Sequence, residues 1–142
     1  MTRSASFFML RILAFFWLVV FCLPVSRISA QNQDVQVIEV AAKKYEYSPE
    51  PVHVKKGTKV QLKITATDHD HGFKIATFPD GATQGGTPGL VFASAQDCWQ
   101  LKKGETTTIE FLAQTAGTYT FRCCHTCGVG HRGMKGELVV EQ

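Results

Sequence analysis

The stretch KVQLKITAT (59–67) sets Val60, Leu62, Ile64 and Ala66 on alternate positions, with Lys59, Gln61, Lys63 and Thr65 between them. Successive side chains of an extended backbone leave on opposite faces, so this alternation requires a strand with one dry and one wet side. TTTIEFL (106–112) repeats the pattern through Thr107, Ile109 and Phe111. Shorter candidate strands are VQVIEV (35–40), VHV (52–54), GFKIA (72–76), GTYTFRC (117–123) and GELVVE (136–141). Two similar turns, Lys55-Lys56-Gly57-Thr58 and Lys102-Lys103-Gly104-Glu105, each lead into a strand. No stretch carries helical periodicity, and PDGATQGGTPG (79–89) is too rich in Gly and Pro for regular structure, so it reads as a surface loop. The pattern predicts an all-β fold, an antiparallel sandwich or barrel. A domain of about 110 residues buries a core without a metal staple. Metal-type residues in it therefore call for a reason other than folding.

The first thirty residues read as an export signal rather than as part of that fold. Arg3 supplies the positive start, Ile12 to Val25 is an unbroken run of fourteen residues without charge, and Ile28-Ser29-Ala30 resembles a cleavage site. The rival is a retained anchor, although a bilayer span takes about 20 apolar residues. Phe21 before Cys22 is too bulky for a lipoprotein box. The predicted organisation is thus a signal peptide over 1–30 and one domain over 31–142. Fifteen Lys and Arg stand against twelve acids in the whole chain, but Arg3, Arg11 and Arg27 all precede the cut, and residues 31–142 balance at twelve of each. That balance gives no argument for nucleic acid as a partner. A membrane is implicated only through an uncleaved N-terminal segment. Export places the domain in the periplasm or on the outer face of the cytoplasmic membrane, where spare cysteines can pair.

FRCCHTCGVGHRGMKG (121–136) gathers three cysteines, two histidines and the last methionine. Alternation along GTYTFRC puts Tyr119, Phe121 and Cys123 on one face, so Cys123 points inward at the end of its strand. The spacing that follows is C-x3-C-x3-H-x2-M: Cys123, Cys127, His131 and Met134. Two thiolates, an imidazole and a thioether are a soft set that suits copper. Zinc seldom takes a thioether, which Met134 supplies. Haem attachment fails because Gly128 follows Cys127, and an iron–sulfur cluster lacks a fourth cysteine nearby. A second imidazole would come from DHDHGFKI (68–75), where spacing alone does not separate His69 from His71. His53 alternates onto the outer face.

Together these motifs resemble the binuclear CuA domain of cytochrome c oxidase subunit II and of nitrous oxide reductase. The family pattern is D-x-x-H-(G/S)-F followed by C-x3-C-x3-H-x2-M and a last strand. This chain has Asp68-His69-Asp70-His71-Gly72-Phe73, then Cys123, Cys127, His131 and Met134, with Gly136 to Val140 closing. The resemblance covers essentially all of residues 35–142 and implies a cupredoxin-like Greek-key β-sandwich or barrel. It favours His71 over His69. It also implies two copper ions bridged by Cys123 and Cys127, one completed by His71 and Met134, the other by His131 and the backbone carbonyl of His125. At the position of His125 the oxidase subunits usually carry Glu, and their aromatic electron-uptake run is reduced here to Tyr45-Glu46-Tyr47. Trp99 reads as a packed loop aromatic.

Once two thiolates go to copper, Cys98 and Cys124 are left over, and pairing them would make a staple rather than a ligand. The His125 ring is expected in solvent, and Gly128-Val129-Gly130 is expected to allow a tight loop that a partner can approach. The reading is therefore an exported copper protein that passes single electrons to and from a redox partner protein. It would act as a relay, alone or beside an oxidase or reductase, rather than as an enzyme on its own. The rivals are a mononuclear cupredoxin site built from His71, Cys127, His131 and Met134, and a periplasmic copper-binding or delivery protein.

Overall fold

The computed structural model describes residues 34–142, so the proposed signal lies outside the described residues. Ten strands follow in chain order: β1 (Val35–Lys43), β2 (Glu46–Ser48), β3 (Val52–Lys55), β4 (Lys59–Ala66), β5 (His71–Ile75), β6 (Leu90–Phe92), β7 (Trp99–Leu101), β8 (Thr106–Ala113), β9 (Gly117–Arg122) and β10 (Lys135–Glu141). They form two five-stranded sheets, in the orders β2-β1-β4-β8-β6 and β3-β10-β9-β5-β7. One 3-10 turn, His131–Gly133, precedes β10, and there is no α-helix among the described residues.

The alternating stretches put the expected residues inside. Val60, Leu62, Ile64 and Ala66 on β4 and Ile109, Phe111 and Ala113 on β8 face the second sheet, which answers with Phe73, Ile75, Tyr119, Phe121, Leu138 and Val140. Fully burying a side chain of this size stabilises by roughly 1.5–3 kcal/mol, so the interlayer contact holds the sandwich together. Both Lys-Lys-Gly turns depend on their glycine, since Gly57 and Gly104 take φ of 82° and 77°. The loop from Pro79 to Gly89 has neither helix nor strand.

Two ladders depart from the all-antiparallel expectation. β1 pairs parallel with β4 from Val35↔Lys59 to Ala42↔Ala66, and β3 pairs parallel with β10. Side-chain alternation fixes which face is buried but not the direction of the neighbouring strand. Trp99 lies in a strand rather than a loop, is buried, and packs between Phe73 and Phe92.

The second sheet positions the ligand cluster. β5 opens with His71, and β9 runs antiparallel beside it, ending at Arg122 just before Cys123. The Cys123 N–H donates to the Met134 carbonyl at 2.9 Å, which ties the loop's last ligand candidate back to its first. Below them Phe121 packs on Phe73 and meets the edge of Tyr47, each with ring centres 5.2 Å apart.

Candidate metal centre

The Cys123 and Cys127 sulfurs are buried, unbonded and 3.6 Å apart. Cys123 sits inside because the alternation of β9 carries one residue past its end. Cys127 comes back to meet it across the short loop that follows. The Cys123 thiol donates to the His125 carbonyl at 3.1 Å, so that oxygen already faces a sulfur. The His125 ring is half-buried rather than in solvent. Burial, then the neighbouring sulfur of Cys123, pushes the Cys127 thiol above its ordinary range.

Two groups of ligand atoms meet at Cys127. Cys123, Cys127 and His131 form one; His69, His71 and Cys127 form the other; within each, the ligand atoms lie within 4.8 Å of one another. The hydrogen bonds separate the two histidines that spacing left open. His71 is fully buried, and its Nε2 donates to Asp68 Oδ1 at 2.7 Å, which leaves Nδ1 buried without a partner. Both nitrogens of His69 face oxygens, Asp68 Oδ2 at 3.0 Å and the Cys127 carbonyl at 2.9 Å. His69 thus has oxygens at both nitrogens where His71 Nδ1 has none, while both rings remain in one ligand group with Cys127. His131 Nδ1 is likewise buried and unpartnered. Met134 is fully buried, which an unbranched apolar side chain tolerates without further explanation.

Asp68 organises this corner, a role that its place in the D-x-x-H motif did not reveal. Its carboxylate accepts from His71 Nε2 and the His69 amide on one oxygen and from the Lys44 amide at 2.9 Å on the other. Desolvation opposes its ionisation, but these donors together hold the carboxyl well below the usual carboxylate range. Tyr47, which the sequence offers only as part of a reduced aromatic run, has a structural role here. It is buried, its hydroxyl donates to the Gly72 carbonyl at 2.6 Å, and it thereby clamps the strand that carries His71. Burial, then the nearby Cys123 and Cys127 sulfurs, pushes its phenol above its ordinary value.

Cys98 and Cys124 are joined by a disulfide, with Cα atoms 5.9 Å apart. The bond fastens the ligand loop to the stretch just before β7. Gly128 and Gly130 do more than tighten that loop: the Tyr45 ring lies where their side chains would be, and Val129 between them is fully exposed.

The donor chemistry fits a soft metal. Two imidazole nitrogens are buried without partners beside two buried free thiols and a thioether, and those nitrogens stay unsatisfied unless something binds them. A family profile for the cupredoxin-like domain matches residues 11–140. The chain belongs to the cupredoxin-like family. Membership implies a copper site, and the two ligand groups are its candidates. The cupredoxin is similar to cytochrome c oxidase subunit 2 of Thermus thermophilus, with 27% identity over 119 residues, 84% of this chain and 76% of that one. A second subunit 2 sequence from the same species matches over the same share of this chain but only 61% of its own length. In fold it resembles the periplasmic domain of subunit II of cytochrome oxidase from Bradyrhizobium japonicum, with a TM-score of 0.57 and 15% identity over 75% of this chain and 84% of that one. It also resembles auracyanin A, a blue copper protein of Chloroflexus aurantiacus, with a TM-score of 0.53 and 17% identity over 76% of this chain and all of that one.

Proposed function

We propose that this cupredoxin carries single electrons through a binuclear, CuA-like copper centre on the outer side of the cytoplasmic membrane. One observation carries the reading: two unbonded buried sulfurs lie 3.6 Å apart, and one of them, Cys127, is shared by two ligand groups, each with an imidazole Nδ1 left without a partner. Cys123 and Cys127 would bridge two ions; His71 and Met134 would complete one, His131 and the His125 carbonyl the other. A thiolate-bridged copper pair supplies a site where one electron is shared, so little geometry changes on reduction.

The chain's own groups prepare that behaviour. Asp68 fixes the His71 ring and its tautomer, Tyr47 holds β5, and the disulfide pins the ligand loop. Cys123, Cys127 and Met134 are 4%, 7% and 0% exposed, so water is kept from the sulfurs and exchange of ligands is disfavoured. That burial speaks against a delivery protein, which needs ligands a recipient can reach. The Cys98–Cys124 disulfide fits an oxidising compartment and thus export, with residues 1–30 as the signal and 31–142 as the domain. The similarity to oxidase subunit 2 supports a place beside a terminal oxidase or reductase.

The test is copper stoichiometry together with the electron spin resonance of the loaded, half-oxidised chain. Two coppers per chain and hyperfine lines from two equivalent nuclei are expected. One copper with a four-line pattern would instead assign the mononuclear site of His71, Cys127, His131 and Met134.

A further inference from the structure

We propose that a basic face beside the metal loop is the docking surface for an acidic electron-carrier protein, an inference that rests on the relay reading above. Lys74 on β5, Arg122 on β9 and Lys135 on β10 are direct cross-strand partners, Lys74↔Arg122 and Arg122↔Lys135. All three point away from the core, since Phe73, Ile75 and Phe121 beside them in sequence point into it. Like charges set directly opposite on a sheet destabilise it, so three cations in one row bring no gain in folding.

Local acids do not neutralise the row. Lys74 has one ion-pair partner, Asp97 at 3.5 Å, whose carboxylate is fully exposed. Among the described residues, Arg122, Lys135 and the nearby Arg132 have no carboxylate within 4.0 Å. Nor does overall charge explain it, because residues 31–142 hold twelve basic and twelve acidic side chains.

The position identifies the occupant. A surface concavity of about 610 Å³ is lined by three cations, Lys74, Arg122 and Arg132, against one acid, Asp97, together with the Cys98–Cys124 disulfide, Cys123 and His131. Whatever these cations attract is delivered to two of the ligand candidates. A membrane headgroup held there could bring no electron, whereas a protein with carboxylates around its own redox group would be steered and oriented by the same contacts.

The test compares the full chain with the Arg122→Gln/Arg132→Gln/Lys135→Gln variant, both copper-loaded, in stopped-flow reduction by flavodoxin, an acidic one-electron donor. The wild-type rate constant should fall about tenfold or more between 10 and 200 mM salt. The variant should be about tenfold slower at low salt and nearly flat with salt, at unchanged copper content and spectrum. A basic cytochrome c as donor should show the opposite salt trend on the wild type. Equal rates and salt slopes for variant and wild type overturn the proposal. A second arm needs no copper: amide NMR of the metal-free chain titrated with flavodoxin should shift residues 74, 122, 132 and 135. Those shifts uphold the docking face even if the copper centre passes no electron; shifts elsewhere, or none, sink it whatever the centre does. If phosphatidylglycerol vesicles are bound by the wild type and released by the variant while flavodoxin moves no resonance, the face belongs to a membrane and the proposal is overturned.

Discussion

His71 Nε2 donates to Asp68 Oδ1 at 2.7 Å, and that bond decides which side of the imidazole is free. With Nε2 carrying the proton, Nδ1 keeps a lone pair, and it is this buried atom that has no partner in the protein. The carboxylate thus sets the tautomer that a metal ligand requires.

Asp68→Asn should therefore weaken copper binding by about 10–100-fold while the fold persists. The amide can still accept from His71, but its nitrogen would then face the Lys44 N–H, donor against donor. Chelator competition on the variant reads the loss. An affinity equal to wild type would show that packing alone orients the ring.

The Cys98–Cys124 bond spans 26 residues of sequence. On the chain-entropy account such a closure stabilises by about 3 kcal/mol. A Cys98→Ser/Cys124→Ser variant should lose about that much in urea unfolding. Reducing the folded wild-type chain should expose two more thiols than the oxidised sample shows. No gain on reduction would mean the pair is open in solution.

Gly72 on β5 lies hard against the ligand loop and its disulfide. A Cβ there would come within 2.7 Å of the His125 nitrogen, 2.8 Å of the Cys124 sulfur and 3.0 Å of the Cys98 sulfur. Backbone and a disulfide cannot give way as a flexible side chain can. Gly72→Ala should then cost about 1–3 kcal/mol, as overpacking does, and lower copper affinity by moving the loop. Thermal unfolding and copper titration check both effects, and a wild-type melting temperature with full copper content would contradict the contact.

The long strands were legible because β4 and β8 alternate over eight residues each. The three-residue strands β2, β6 and β7 were not, since EYS, LVF and WQL lack the β-branched apolar–polar–apolar pattern that marked VHV (52–54). Cys123, Cys127, His131 and Met134 stood out because their grouping needs no tertiary contact to be seen. The distinction between His69 and His71 could not be drawn from spacing: it lies in what each nitrogen meets, and the Cys127 carbonyl is 58 residues away from His69. The clamp from Tyr47 to Gly72 and the row Lys74, Arg122, Lys135 are likewise products of strand pairing.

Copper loading should depend on pH in a direction that the Cys127 environment fixes. Burial, then its neighbour Cys123, pushes that thiol up to about 11, so the metal-free chain holds it protonated at neutral pH. A metal takes the thiolate, so binding expels the proton. Apparent copper affinity should rise with pH, by about tenfold per pH unit for each thiol proton released, and level off above the thiol pKa. Folding of the metal-free chain responds with the opposite sign. Between the ordinary thiol value of 9.0 and about 11 the unfolded chain loses the proton first, so it binds fewer protons than the folded chain, and stability falls as pH rises. Chelator competition between pH 6 and 8, with proton release followed in weak buffer, tests the first trend; urea midpoints of the metal-free chain between pH 8.5 and 11 test the second. Copper uptake that ignores pH would show that Cys127 is already ionised or takes no part in the site.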